Sequence, residues 1–212
     1  MPTLDGSPST YQRDVAASSG AYTFSHTCVG GNNSWLIVGA GWRGGNITGV
    51  KYNGVPLTVV VDVGSLNSAA MWELEDPTPG THGVEITLSG VGGVKAYAAS
   101  YTDCGGVRGS ASHLSSGKVQ TCDVVSEEDD IILDVGIKEQ SYNAALAESA
   151  GQTPWYETWS TALTKRWYMG SWKAGAASST TMSWTSTLTG NGALAALSLM
   201  PVDNNAGIFP FF

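Results

Sequence analysis

"ITGVKYNGVPLTVVV", Ile47 to Val61, decides the fold class of this 212-residue chain. Two apolar runs meet at Asn53-Gly54, a pair that tolerates the positive φ a two-residue hairpin turn requires. On either side the sequence keeps returning to a period of two. "VEITLSG" (84–90) sets Val84, Ile86 and Leu88 on one face with Glu85 and Thr87 on the other. "DIILDVGIKE" (130–139) does the same with Ile131, Leu133, Val135 and Ile137. Further strands fit "AYTFSHT" (21–27), "WLIVGAGW" (35–42), "AAMWELE" (69–75), "VKAYAASYTD" (94–103), "KRWYMGSWKA" (165–174), "TTMSWTST" (180–187) and "GALAALSLMPV" (192–202). Turn residues recur about every ten positions, as in sandwiches and barrels. Helical periodicity is confined to a weak stretch, "NAALAES" (143–149). The expectation is an all-β protein, an antiparallel two-sheet β-sandwich of jelly-roll type over residues 21–202. An extended N-terminal arm (1–20) and an apolar C-terminal arm (203–212) flank it.

Composition narrows the function classes. With 42% hydrophobic residues the chain can bury a good core, and a β-protein of this size is often one domain. Only 13% of residues are charged and the net charge is -8, so Ser, Thr, Asn and Gly must keep the surface wet. Nucleic acid and anionic membranes are not expected partners, since both require clustered Lys and Arg. Cys28, Cys104 and Cys122 are odd in number and lack C-x-x-C spacing, which argues for free thiols rather than a disulfide framework or a zinc site. "MPTLDGSPSTYQRD" has neither a basic n-region nor an apolar h-region, and no apolar run is long enough for a membrane helix. Synthesis in a cytoplasm without a signal peptide is the expectation.

Several stretches together resemble a β-sandwich module of bacterial and bacteriophage structural proteins: "SHTCVGGNNSWLIVGAGW", "ITGVKYNGVPLT", "MWELEDPTPGTHGVEITLSG", "VKAYAASYTD" and "MSWTSTLTGNGALAALSLMPV". In that module a "SHT" strand precedes a "LVV" strand, a "V-x-Y-x-G-x-x-LT" hairpin follows, and "L-x-x-P-x-x-G" leads into "V-x-V-T-x-S". The resemblance spans about residues 20–202 and departs at "TDCGGVRGS" (102–110); the "AGIFPFF" tail has no counterpart in it. It implies an architecture and no active site.

Candidate chemistry is sparse, and no catalytic residue, metal or cofactor is expected. Nucleophilic catalysis would draw on His26, His82 or His113, but the first two lie in or beside strand motifs and no G-x-S-x-G elbow occurs, so a structural or merely exposed histidine is the better reading. Glu73 and Glu75 in "MWELEDP" share a strand face at i, i+2, roughly 6–7 Å apart, near the spacing of a retaining glycosidase pair. Pro77 stands where the jelly-roll glycosidases place a third acid, and a solvent face opposite inward Trp72 and Leu74 explains the pair more simply. "SEEDD" (126–130) offers carboxylates for calcium but reads better as a solvated turn that discourages edge pairing. Trp155, Tyr156 and Trp159 open an aromatic-rich segment that also holds Trp167, Tyr168 and Trp172. Such rings stack on sugars, and they equally mark interfaces. Trp167 and Trp172, five residues apart, must point to opposite faces of one strand, so at least one belongs in the core.

The sequence ends on Ile208-Phe209-Pro210-Phe211-Phe212 behind a polar "DNN". Burying such side chains yields about 1.5–3 kcal/mol each. Ordering their backbone costs about 1–2 kcal/mol per residue. Side chains alone therefore do not secure the segment, whereas a sheet edge or a partner's groove adds backbone hydrogen bonds. Pro210 suits such an edge. The alternative is a tail folded back over its own sandwich. With the composition, the tail reads as the partner interface of a capsid decoration or cement protein on the virion surface. It would contact the major capsid protein and copies of itself, as a homotrimer. The other reading is a tail-fibre or adhesin module that binds glycans through Trp155, Tyr156 and Trp159.

Overall fold

The computed structural model describes residues 1–17, 19–64, 66–140, 145–160 and 165–203, with backbone alone for 13–17. Every regular element among them is a β-strand. The first half of the chain supplies β1 (Thr3–Leu4), β2 (Ser9–Ala17), β3 (Gly20–Cys28), β4 (Trp35–Arg43) and β5 (Ile47–Tyr52). It continues with β6 (Val55–Pro56), β7 (Thr58–Gly64), β8 (Asn67–Glu75), β9 (Gly80–Leu88) and β10 (Gly92–Thr102). The second half supplies β11 (Cys104–Ser115), β12 (Val119–Ser126), β13 (Ile131–Glu139) and β14 (Leu146–Glu148). It ends with β15 (Thr153–Ser160), β16 (Arg166–Ala174), β17 (Ser178–Ser186) and β18 (Gly192–Pro201). The hairpin that opened the reading is present: Tyr52 pairs with Val55, and Asn53 (φ 50) and Gly54 (φ 79) both take the left-handed conformation of a type I′ turn. The weakly helical stretch is not a helix in its described part, where residues 146–148 pair as β14 with β17.

Among the described residues all pairings are antiparallel, and they form four sheets rather than two. In the first half, β3-β9-β5-β6 makes an outer sheet, and β10-β4-β8-β7 makes an inner one with β1 and β2 both on the free edge of β10. In the second half the inner sheet runs β11-β18-β13-β16-β15 and the outer sheet β12-β17-β14. Apart from β1 and β6, the halves match strand for strand: exchanging β2, β10, β4, β8 and β7 for β11, β18, β13, β16 and β15 reproduces the inner order, and β3-β9-β5 becomes β12-β17-β14. One irregularity corresponds as well. β7 shifts register between Val59 and Val61 where it pairs with β8, and β15 shifts between Pro154 and Tyr156 where it pairs with β16.

The inner sheets stack face to face, giving a four-layer molecule with three cores. β7 lies over β11 and β18, β8 over β13, β4 over β13, and β2 over β15. Exchanging the halves maps β7 on β11 to β15 on β2, so an approximate two-fold relates them, with β4 and β13 at its centre. There the backbones approach closely, because a Cβ on Gly41 would come 2.9 Å from the Gly136 carbonyl oxygen. Leu36, Val38 and Trp42 face the first outer sheet with Tyr52, Val84 and Ile86. Ile37 points the other way, into a central core with Met71, Tyr97, Leu133, Val135 and Leu197. Ile132, Met169, Met182, Trp184 and Leu194 fill the third core. Inner strands are thus buried on both faces, which is why β4, β10, β13 and β18 read as nearly unbroken apolar runs.

Candidate functional site

Of the sequence-derived candidates, Ile208, Phe209, Pro210, Phe211 and Phe212 lie outside the described residues. The aromatic candidates divide. The bulge in β15 turns both Trp155 and Tyr156 toward the central core, where an unbroken strand would turn one away. Trp155 meets Tyr97 edge-on at 4.6 Å between ring centres, and Tyr156 lies 6.3 Å from the same ring. Trp159 sits four residues along and contacts Trp167 at 5.6 Å. Trp167 packs on the third core and Trp172 on the central one, as their spacing requires.

At the pole where Trp155 and Trp172 lie, the central core opens into a cavity of about 340 Å³. Tyr101, Ile131, Trp155 and Trp172 line it, and Met1 to Leu4 form the rest of its wall. Strand pairing places four of the wall residues. Leu4 pairs with Tyr101, Ile131 opens β13 opposite Leu199, and Trp172 pairs with Thr153 just before the bulge. Met1 and Leu4 are exposed apolar side chains.

At the pseudo-symmetric position in the other half the register sets different side chains. Trp35 opens β4 as Ile131 opens β13, Val60 is the bulge residue as Trp155 is, and Glu73 pairs with Thr58 as Trp172 pairs with Thr153. The Trp35 indole fills that space, standing 3.3 Å from where a Cβ on Gly106 would be. With isoleucine at position 131 the equivalent volume is left open. Trp172 was visible in the sequence as part of an aromatic crowd; Tyr101, Ile131 and residues 1–4 carried no local signal and depend on tertiary pairing.

The other polar candidates are absorbed into the fold. His26 is buried, with Nδ1 3.0 Å from Ser9 Oγ and Nε2 3.2 Å from Ser100 Oγ. Burial holds its pKa down at about 4 against the opposing pull of Asp5. The Asp5 carboxylate accepts from the Val29 amide at 2.8 Å, the Gly30 amide at 3.3 Å and the Ser100 hydroxyl at 3.3 Å, so this network fixes the segment before β2 to the rest of the first half. His82 bonds the Pro79 carbonyl at 3.1 Å, and His113 is exposed. All three cysteines are buried and unpaired.

Glu73 and Glu75 do not share a solvent face. Glu75 is exposed, but Glu73 sits on the rim of the central core with Oε2 buried and unpartnered. Burial, then the charge on Glu75, raises its pKa. In "SEEDD" the countercharge comes from Arg108, whose Nε donates to Asp130 at 2.7 Å and whose Nη2 lies 3.0 Å from Glu127. Asp134, on the outward face of β13, accepts from the Ser171 amide and hydroxyl at 2.7 Å each, from Trp184 Nε1 at 2.7 Å and from Gln152 at 3.4 Å. Burial lifts its pKa to about 6 despite these donors. No protein family, curated protein or solved structure matches this chain.

Proposed function

We propose that this chain is a virion structural protein, a capsid decoration protein built from two jelly-roll-type sandwiches, which stabilises a phage head by non-covalent contact and makes or breaks no bond. One observation carries the reading: both ends of the described chain come to one pole. Leu4 pairs with Tyr101, Cys104 pairs with Pro201, and the Val202 amide bonds the Asp103 carbonyl at 3.1 Å. The described chain therefore ends, at Asp203, at the pole that holds the exposed Met1 and Leu4 and the aromatic cavity. An apolar cavity flanked by the exposed Met1 and Leu4 suits attachment to a neighbouring subunit. The partners on this reading are the major capsid protein and further copies of the chain, arranged as a trimer. The resemblance of residues 20–202 to a module of phage structural proteins agrees with it. Deleting residues 203–212 is expected to abolish binding to purified shells while circular dichroism and melting stay close to those of the full chain. A truncated protein that still decorates shells at full occupancy removes the proposal.

A further inference from the structure

We infer that the cavity bounded by Tyr101, Ile131, Trp155 and Trp172 is the seat of the chain's own Ile208–Phe212 segment in the free subunit. The inference rests on reading that segment as the adhesive element. Chain length permits it. Leu199 pairs with Ile131 in the cavity wall, so the two backbones lie about 5 Å apart. Asp203 is four residues beyond Leu199, about 13 Å along an extended chain, and the five residues from there to Ile208 span up to about 17 Å. The segment can therefore return to the wall it has just passed.

Chemistry and size agree. An apolar cavity of about 150 Å³ admits one benzene. The 340 Å³ here accommodates two phenylalanine rings. Walls of Trp, Trp and Tyr offer edges and faces to which such rings dock. The exposed Met1 and Leu4 on the cavity wall gain cover from the same event. A short tether also gives the segment a millimolar effective concentration at its own cavity, so it outcompetes the same segment on another molecule in dilute solution. On a shell, handing the segment to a neighbour exchanges one such contact for its twin, the low-cost route by which protomers swap identical elements.

The test is a photocrosslink in the full chain. p-Benzoylphenylalanine is incorporated in place of Phe211, the protein is irradiated at low micromolar concentration, and the product is mapped by mass spectrometry. The expected result is a monomeric product joined within one chain to residues 1–4 or to the neighbourhoods of Tyr101, Ile131, Trp155 or Trp172. Ile131→Trp, which copies the side chain that fills the equivalent space in the other half, is expected to lower that yield at least fivefold. A crosslink between two chains, a crosslink mapped elsewhere, no crosslink, or a yield untouched by a folded Ile131→Trp overturns the inference. Should that variant fail to fold, the mapped position alone decides. The readout uses no shells, so its failure is distinct from failure of the decoration proposal.

Discussion

The Tyr97 ring occupies the space that a side chain on Gly39 would need. The two residues pair directly between β10 and β4, and a Cβ on residue 39 would stand 2.5 Å from Tyr97 Cε1. Across the central core Gly170 makes the matching slot, where a Cβ would come 3.1 Å from Tyr97 Cδ1 and 2.7 Å from Tyr156 Cε1. Two glycines thus let large rings lie flat between sheets that are themselves buried on both sides. Gly39→Ala is expected to destabilise by about 1–3 kcal/mol, the usual cost of overpacking. Gly49→Ala, where a Cβ meets nothing within 4 Å, is expected to change stability by less than about 0.5 kcal/mol. Urea melts of the two variants check the pair, and equal effects would show that the Tyr97 slot is loosely packed.

Strand existence was legible because period two and turn residues are local. The ten stretches read as strands correspond to β3 through β10, β13 and β16 through β18. The strands passed over, β1, β2, β11, β12, β14 and β15, mostly lie at sheet edges, where short, polar or Gly- and Ser-rich sequence suffices. The number of layers was legible in principle. "WLIVGAGW", "VKAYAASY" and "GALAALSLM" do not alternate, and unbroken apolar runs signal burial on both faces. Reading them as one-sided strands gave two sheets, and with them a solvent face for Glu73. The duplication was hidden, because equivalent positions hold Trp35 and Ile131, Val38 and Asp134, Trp42 and Lys138. Strand position and register were kept in these pairs while volume and chemistry changed. The cavity is the product of one such change and has no linear signature.

Asp134 and His26 set opposing pH responses. The Asp134 pKa rises from 3.8 to about 6 on folding, so its contribution is favourable at low pH and is lost as pH climbs from about 4 to 6. The His26 pKa falls from 6.5 to about 4, so its contribution holds above pH 6.5 and is lost as pH drops toward 4. Each is of order 3 kcal/mol and they cancel over much of the same window. Between pH 4.5 and 6.5 the contributions of these two residues are therefore expected to offset each other. Asp134→Asn is expected to lose stability on acidification across that window, and His26→Gln to gain it. Denaturant midpoints measured at half-unit steps check the opposite slopes; parallel slopes in the two variants would contradict the assignment.

Arg108 answers the calcium reading of "SEEDD" directly. Its guanidinium holds Asp130, which is fully buried, and Glu127, which is largely exposed. Arg108→Ala leaves the Asp130 carboxylate buried without its countercharge, a loss of about 3 kcal/mol. With the guanidinium gone, millimolar calcium is expected to recover several degrees of the lost melting temperature in the variant and to leave the native protein unmoved. An equal calcium response in the native protein would mean that the turn binds a cation beside Arg108.

Asp5 anchors the segment behind the cavity wall through its amide and its carboxylate. It donates its amide to the Ser100 carbonyl at 2.7 Å, while its carboxylate gathers the amides of Val29 and Gly30 and the hydroxyl of Ser100. Asp5→Ala strips the Val29 and Gly30 amides of their charged acceptor, a cost of about 1–3 kcal/mol, while the Ser100 hydroxyl keeps the Asp5 carbonyl at 3.2 Å. The loss is local, because β2 keeps its own ladder with β10 from Ser9 onward. Hydrogen exchange at Leu4, Val29 and Gly30 is therefore expected to quicken by about tenfold or more, while amides of Tyr97 and Ala98 keep their protection. Loosening Met1 to Leu4 also opens the cavity, so the within-chain crosslink from position 211 to residues 1–4 is expected to fall while that to Trp172 persists. Uniform loss of protection along β10 would show instead that Asp5 supports the whole inner sheet.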